Sequence, residues 1–164
     1  MFIRQASEND AVKIIEVMKD AEASGFMLYN PNERQLTSES LGKFINSINT
    51  APKSGFFIAE ENEEILGYLM LKAENLIRTS HRAAIAIGVH SNSRGKGAGT
   101  KLFEYVISWA KQHQLHRLEL TVIEHNSQAV HLYKKMGFKE EGIKNDSLWI
   151  NGEFVNEIYM SLIL

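Results

Sequence analysis

The segment from Val89 to Phe103 constrains the fold of this chain more than any other. It reads VHSNSRGKGAGTKLF and joins an apolar run at 83–89 to an amphipathic helical pattern at 97–113. Glycine has no Cβ, so a glycine-rich backbone turns tightly and approaches a ligand closely. The first amide N–H groups of a helix lack partners within the helix and lie at the positive end of its dipole. The sequence therefore predicts a loop that binds phosphate or pyrophosphate.

Basic residues are concentrated around this loop. The chain has 18 Lys and Arg against 20 Asp and Glu. From Asn75 to Phe103 no residue is acidic, and the cations are Arg78, Arg82, Arg94, Lys96 and Lys101. A solvated basic loop whose glycines only cap and turn is the alternative interpretation. Spacing excludes two common nucleotide motifs, since Gly99-Thr100-Lys101 reverses the order of a Walker A loop and no G-x-G-x-x-G is present.

Two segments together resemble the GCN5-related N-acetyltransferases. The run from Arg94 to Gly99 (RGKGAG) is similar to the R/Q-x-x-G-x-G/A loop with which that superfamily binds the pyrophosphate of acetyl-coenzyme A. The run from Asn126 to Phe138 (NSQAVHLYKKMGF) is similar to its second signature, N-x-x-A-x-x-x-Y followed by G-F. The two occur in the expected order, separated by a helix and a strand. The resemblance extends over nearly the whole chain and is strongest from about residue 54 to the end.

The resemblance implies a set of residues that bind acetyl-coenzyme A. In relatives, the strand before the loop bonds the pantetheine arm through its main chain, and the motif asparagine lies near the cofactor. The candidates are Ile87, Gly88, Val89, Arg94, Gly95, Lys96, Gly97, Ala98, Gly99, Thr100, Asn126 and Tyr133. Gly88 within a strand also indicates a bulge or a close approach of ligand. Asn126 also suits the N-cap of its helix, and the two roles are compatible.

Tyr133 is the predicted general acid. Transfer of an acetyl group from a thioester leaves a thiolate that needs a proton. A tyrosine with a pKa near 10 is protonated at neutral pH and can donate one. The matching tyrosine of the family has this role. The alternative is a core aromatic, because Tyr133 shares a helical apolar stripe with Ala129, Leu132 and Met136.

The general base is where the sequence departs from its relatives. Many of them carry a glutamate on the strand before the glycine loop, whereas 83–89 has no titratable residue. Others carry one at the position of Thr121. Glu119 shares a strand face with Thr121 by period-two alternation, so it is the candidate base, acting through water; a salt-bridging surface carboxylate is the alternative. Weaker candidates are His81, His90, Glu124 and His131, and water alone is a further one.

The strand, glycine loop, helix and strand in sequence predict a parallel crossover. We expect an α+β (mixed α/β) fold: one domain over 1–164, with a mostly antiparallel mixed sheet of about seven strands and helices on both faces. Ser7 and Asp10 cap the first helix, whose turns we assign to Val12, Ile15 and Lys19. The predicted strands are 2–5, 55–61, 65–73, 83–89, 118–123 and a hairpin around Asn151-Gly152; the helices run to about Ala23 and over 37–48, 97–113 and 127–136.

We expect the binding site for the amine that accepts the acetyl group to be formed by the loop 24–36, the second helix and the turn 74–82. Phe26, Met27, Tyr29 and Glu33 are candidates for an amine pocket. Arg78, His81 and Arg82 are candidates for holding a carboxylate, which would favour an amino acid or a peptide. The apolar tail IYMSLIL is either a contact of a homodimer or an inner strand.

Composition bounds the partners. The chain has no cysteine, which excludes a thiol nucleophile and suggests the cytoplasm. The polar N-terminus is no signal peptide, no apolar run is long enough to span a membrane, and a net charge of −2 argues against nucleic acid. His113 and His116 lack further ligands, so no metal is expected.

The function predicted from the sequence is acetyl-coenzyme A-dependent N-acetyltransfer to a primary amine of a small molecule or peptide, by direct transfer. Two alternatives remain at this point. One is a coenzyme A-binding regulatory or sensor module without turnover, and the other is a generic phosphate-binding α/β domain.

Overall fold

The computed structural model describes residues 1–164. The strands are β1 (Phe2–Gln5), β2 (Gly55–Glu61), β3 (Glu64–Ala73), β4 (Arg82–Val89), β5 (Arg117–Ile123), β6 (Lys139–Ile150) and β7 (Glu153–Ile163). The helices are α1 (Ala11–Glu22), α2 (Ser38–Thr50), α3 (Ala98–Gln112) and α4 (Ser127–Lys135). Short 3-10 turns precede α1 and α3, at Glu8–Asp10 and Ser91–Ser93. Each element predicted from the sequence pattern is present.

The seven strands form one sheet in the order β1-β2-β3-β4-β5-β7-β6. Every neighbouring pair is antiparallel except β4 and β5, which are parallel and joined through α3. The mixed sheet and its parallel crossover are therefore confirmed. Because β7 lies between β5 and β6, the C-terminal segment IYMSLIL is an inner strand and not an exposed tail.

Helices cover both faces of the sheet, and each face has its own core. On one side Phe57 and Leu69 of the sheet pack with Leu102 and Phe103 of α3. On the other side Phe56 and Ile58 pack with the buried faces of α1 and α2. Neighbouring residues such as Phe56 and Phe57 serve opposite cores because side chains alternate along a strand. The sheet is thus the middle of three layers.

The predicted pair of Ser7 and Asp10 caps the 3-10 turn Glu8–Asp10 that precedes α1, and α1 itself begins without a side-chain cap. The Ser7 N–H donates to Asp10 Oδ2 at 2.7 Å. Val12, which we assigned to the turns of this helix, is 59% exposed. The buried stripe consists of Ile14, Val17, Met18 and Ala21. Both sets have helical spacing, and packing on the sheet selects the one that buries more apolar area.

The C-terminal hairpin turns at Asn151 and Gly152, as predicted. Their φ angles are 51° and 84°, and a type I′ turn requires positive values at both central positions. The β6–β7 hairpin extends past the C-terminal end of β5, because Ile123, the last residue of β5, pairs with Glu157 and β7 begins at Glu153. None of the helices combines the length and the apolar character needed to cross a membrane.

Candidate active site

A cleft opens where the two parallel strands diverge. Strands β4 and β5 pair only from Arg82 to Ala84 and from Arg117 to Glu119. Both strands continue, to Val89 and Ile123, without pairing further. The gap between their C-terminal halves leads into a cavity of about 600 Å³, which lies within the usual range for a small-molecule site.

The glycine loop closes one end of this cleft. Gly95 and Gly97 have φ angles of 74° and 88°, in the left-handed region that favours glycine, and Gly97 is the N-cap of α3. The first backbone hydrogen bond into the helix is donated by the Lys101 N–H to the Gly97 carbonyl, at 3.0 Å. No hydrogen bond within the chain uses the N–H groups of Gly95, Gly97, Ala98, Gly99 or Thr100.

These five residues all line the cleft, together with Arg94. Free amides at a helix N-terminus bind anions through hydrogen bonds and the helix dipole. The Arg94 guanidinium lies beside them and donates from Nε to the Val89 carbonyl at 3.3 Å. The residues present therefore fit a pyrophosphate group.

Lys96 does not line the cleft. Its N–H donates to the Ser93 carbonyl at 3.3 Å, so this amide is not free. Its side chain lies with Lys101 in a separate polar pocket beside Glu61. The other cations of the basic segment are also elsewhere, since Arg82 at the start of β4 forms an ion pair with Glu74 at 2.8 Å. Of the predicted cationic cluster, only Arg94 faces the ligand site.

The three residues proposed on β4, Ile87, Gly88 and Val89, do line the cleft. Beyond Ala84 the edge of β4 that faces β5 is unpaired, so its main chain is available to a ligand. The predicted bulge at Gly88 is absent, because β4 pairs with β3 in continuous register. A Cβ at Gly88 would instead lie 2.5 Å from Cε1 of Tyr68.

Tyr133 reaches the cleft from α4. It is 8% exposed, and its ring packs edge-on against Phe103, with 5.6 Å between ring centroids. Burial raises the pKa of the Tyr133 phenol to about 12. Tyr133 thus belongs to the core, as the alternative interpretation expected, and it also lines the cleft. Its role as general acid stays a prediction. No hydrogen bond within the chain holds its hydroxyl, which leaves a protonated phenol able to donate.

Asn126 positions the helix that carries Tyr133. Its Oδ1 accepts the Ala129 N–H at 3.3 Å, which makes it the N-cap of α4. It also lines the cleft, next to the end of β5. The predicted N-cap role of Asn126 is therefore confirmed, and its contact with a ligand stays a prediction.

Glu119 is not brought to the cleft. Its Oε2 accepts from Arg117 Nε at 2.8 Å, and Oε1 lies 3.9 Å from Arg82 Nε. Leu118, Leu120 and Val122 are buried on the opposite face, so the predicted strand faces are correct. Position along the strand decides the outcome, since Glu119 lies where β4 and β5 are still paired and Thr121 lies in the divergent part. This geometry favours the salt-bridging alternative for Glu119.

Among the weaker base candidates, only His131 lines the cleft. His90 lies 3.8 Å from Asp20, and Glu124 accepts a hydrogen bond from Asn156. On the acceptor side Phe26 and Met27 line the cleft, whereas Tyr29 stacks on Arg34 and Glu33 binds the Asn30 amide. The proposed carboxylate-binding residues are all outside the cleft: Arg78, His81 and Arg82.

The sequence reasoning missed Glu157 of β7, the single carboxylate that lines the cleft. It is 9% exposed, and its Oε1 accepts from Ser147 Oγ at 2.9 Å. A signal was present, because Glu157 is the last acidic residue before an apolar strand, in the run NEIYMSLIL. An isolated charge entering an inner strand is rare unless it serves a partner or a ligand.

The fold and the cleft define a class of protein: a mixed sheet with one splayed parallel strand pair and a helix N-terminus with free amides between the strands. The model of the Acetyltransferase (GNAT) family matches residues 16–138. The chain belongs to this family.

Known relatives agree with this assignment. The L-amino acid N-acetyltransferase AaaT of Escherichia coli (strain K12) is 32% identical over 104 residues, which cover 61% of this chain and 62% of that protein. The chain spans less than two thirds of the length of the first curated relatives it matches.

Two solved structures share the complete fold. The acetyltransferase of GNAT family from Streptococcus pneumoniae has a TM-score of 0.93 at 27% identity, over 99% of this chain and 98% of that chain. The structure of yncA from Salmonella typhimurium, with its cofactor acetyl-CoA, has a TM-score of 0.88 at 20% identity, over 99% of this chain and 93% of that chain.

Proposed function

We propose that this chain transfers the acetyl group of acetyl-coenzyme A directly to the primary amine of an amino acid, a peptide N-terminus or another small molecule. One observation carries the proposal: a single cleft contains both the free amides at the start of α3 and the buried phenol of Tyr133. Family membership and a relative named for L-amino acid N-acetylation support it.

Groups of this chain would bind acetyl-coenzyme A. The free amides of the loop and the guanidinium of Arg94 would bind the pyrophosphate, where dipole and charge both favour an anion. The unpaired edge of β4 from Ile85 to Val89 would hydrogen-bond the amides of the pantetheine arm. The arm would then run between the splayed strands and bring the thioester beside Tyr133.

The transfer needs one bond made, one bond broken and two protons accounted for. The neutral amine would attack the thioester carbonyl carbon, so that a carbon–nitrogen bond forms and the carbon–sulfur bond breaks. Tyr133 would donate its phenolic proton to the departing thiolate. The proton lost by the attacking nitrogen would pass to water, and water would return a proton to Tyr133. With a pKa of about 12, the Tyr133 phenol is protonated at neutral pH and holds the proton that it would donate.

The test is a thiol-release assay with acetyl-coenzyme A against amino acids, peptides, polyamines and aminoglycosides. We expect Tyr133→Phe to lower kcat about tenfold or more with the Kd for coenzyme A little changed. Tyr105→Phe is the matched control, because Tyr105 lies on α3 outside the cleft. Coenzyme A binding without thiol release on any amine would point instead to a sensor module, and equal binding of ATP would point to a generic phosphate site.

A further inference from the structure

Glu157 faces the side of the cleft away from α3 and α4. It pairs with Ile123 at the open end of β5. The next residue, Ile158, belongs to the core beneath α3 and α4. Because side chains alternate along a strand, Glu157 projects to the opposite face, where α1 and the loop after it lie. The carboxylate therefore lies across the sheet from the helix that carries Tyr133.

The Glu157 carboxylate is only half satisfied. Ser147 Oγ donates to Oε1 at 2.9 Å, and Lys144 Nζ lies 3.8 Å from the same oxygen, beyond hydrogen-bond distance. No hydrogen bond within the chain reaches Oε2. The Glu157 side chain is 12% exposed, whereas that of Lys144 is 47% exposed. A carboxylate this enclosed is stable when a cation or donor reaches its remaining oxygen.

The cleft that Glu157 lines also has apolar lining residues. Phe26, Met27 and Leu28 come from the loop after α1, and Leu148 comes from β6. Phe26 is held at the rim by the His125 ring, with 5.7 Å between ring centroids. An aromatic and aliphatic wall with one carboxylate is complementary to an organic cation.

No base that lines the cleft on this face could neutralise an acidic acceptor. Lys144, whose Nζ lies 3.8 Å from Glu157 Oε1, is basic but does not line the cleft. The bases that line the cleft are Arg94 in the glycine loop and His131 and Lys135 on α4. Arg34, which lies in the loop after α1, forms an ion pair with the buried Glu22. A free carboxylate on the acceptor would therefore lie near Glu157 with no counterion among the cleft-lining residues of this face, which is repulsive.

We infer that Glu157 binds the ammonium group of the acceptor through Oε2 and selects primary amines that have an apolar substituent and no free carboxylate beside the amine. Such acceptors include peptide N-termini and amino-acid amides. The inference rests on the proposed function and narrows its acceptor. It makes Glu157 a specificity-determining residue.

The experiment uses leucinamide and leucine as probes, because they differ only in the carboxyl group. Each is titrated calorimetrically into the protein saturated with coenzyme A, so that binding is read without turnover. For the wild type we expect leucinamide to bind at least about tenfold more tightly than leucine. Glu157→Gln should weaken leucinamide binding by about tenfold or more, since a hydrogen bond to a charged group is lost. Glu124→Gln is the matched control, because the Glu124 carboxylate accepts a hydrogen bond from Asn156, the neighbour of Glu157 in sequence, and lies outside the cleft.

The outcomes separate this inference from the proposed function. Unchanged leucinamide affinity in Glu157→Gln, equal binding of leucine by the wild type, or no binding of leucinamide would each overturn the inference. If Glu157→Gln does not change thiol release, the acetyltransferase proposal would survive and the role of Glu157 would not. Leucinamide binding that depends on Glu157, without thiol release on any amine, would support the binding role and refute the transfer. The wild-type comparison of the two probes keeps the test valid should the variant fold poorly.

Discussion

Tyr68 of β3 occupies the space that a side chain at Gly88 of β4 would need. The two residues are directly opposite in the antiparallel register. A Cβ built on Gly88 would lie 2.5 Å from Cε1 of Tyr68 and 2.9 Å from its hydroxyl oxygen. Tyr68 cannot easily move, because it is 4% exposed and stacks on Phe56 with 5.6 Å between ring centroids. Packing between strands therefore explains the glycine at the edge of the cleft.

Replacing Gly88 by alanine should destabilise the protein by about 1–3 kcal/mol, as overpacking of a close-packed core does. The free energy of unfolding from urea denaturation measures this. Gly142→Ala on β6 is the matched control, since a Cβ there meets nothing within 4 Å; its effect should stay within about 0.5 kcal/mol. Equal stability of the two variants would contradict the packing role.

Gly97→Val should abolish the binding of coenzyme A. Valine is strained at a φ of 88°, and its side chain would stand among the free amides of the loop. Calorimetric titration with coenzyme A measures the Kd. Gly152→Val at the distant hairpin, with a φ of 84°, introduces the same backbone strain and should leave the Kd unchanged. Retained affinity in Gly97→Val would refute the assignment of the loop.

Alkaline pH should destabilise the fold through two buried tyrosines. Burial raises the pKa of Tyr68 and of Tyr133 to about 12, whereas an unfolded tyrosine has a pKa of about 10. The unfolded chain then releases these protons first, so stability is full below about pH 10 and is lost as pH rises towards about 12. From about pH 9 to about pH 11 the free energy of unfolding should fall by about 1 kcal/mol for each tyrosine.

Denaturant titrations across this pH range measure how much each tyrosine contributes to the loss of stability. They compare the wild type with the Tyr68→Phe and Tyr133→Phe variants. Each phenylalanine variant should lose less stability with rising pH than the wild type. Tyr105→Phe, at a site 39% exposed, provides the reference for the general alkaline effect. Identical slopes in all four proteins would show that the buried phenols do not titrate as proposed.

Asn126→Ala should lower the free energy of unfolding by about 1 kcal/mol, because α4 loses its N-cap. Asn126→Ser keeps a capping oxygen and should keep the stability. Thermal denaturation and calorimetric titration with coenzyme A, measured on both variants, separate the two roles of the residue. A serine variant that is stable but binds coenzyme A weakly would indicate a ligand contact as well. Full stability in the alanine variant would exclude the cap as a source of stability.

Glu119→Gln should leave the kcat/KM for acetyl transfer within about twofold of wild type. The reason is positional, since Glu119 is paired with Arg117 outside the cleft. Steady-state thiol release measures the effect, with melting temperature as the check on folding. A loss of about tenfold at unchanged stability would restore Glu119 as the base acting through water.

Much of the site was predictable because its features depend on single residues or short runs. The left-handed conformations of Gly95 and Gly97, the cap at Asn126 and the turn at Asn151 and Gly152 follow from local backbone preference. The helical stripe of α4 likewise requires only neighbours along the chain. Local rules failed where two patterns competed, as in α1, where Val12 and Ile14 both have helical spacing and only one faces the sheet.

Amino-acid order by itself determined which elements form, where the glycine loop lies and which tyrosine follows it in the second motif. Tertiary structure alone decided which side chains share the cleft. Period-two alternation assigns Glu119 a face but does not reveal that β4 and β5 diverge just beyond it. Glu157 and Phe26 line the same cleft because β7 lies beside β5 in the sheet. Such long-range strand pairing depends on the burial of whole strand faces and not on any local preference.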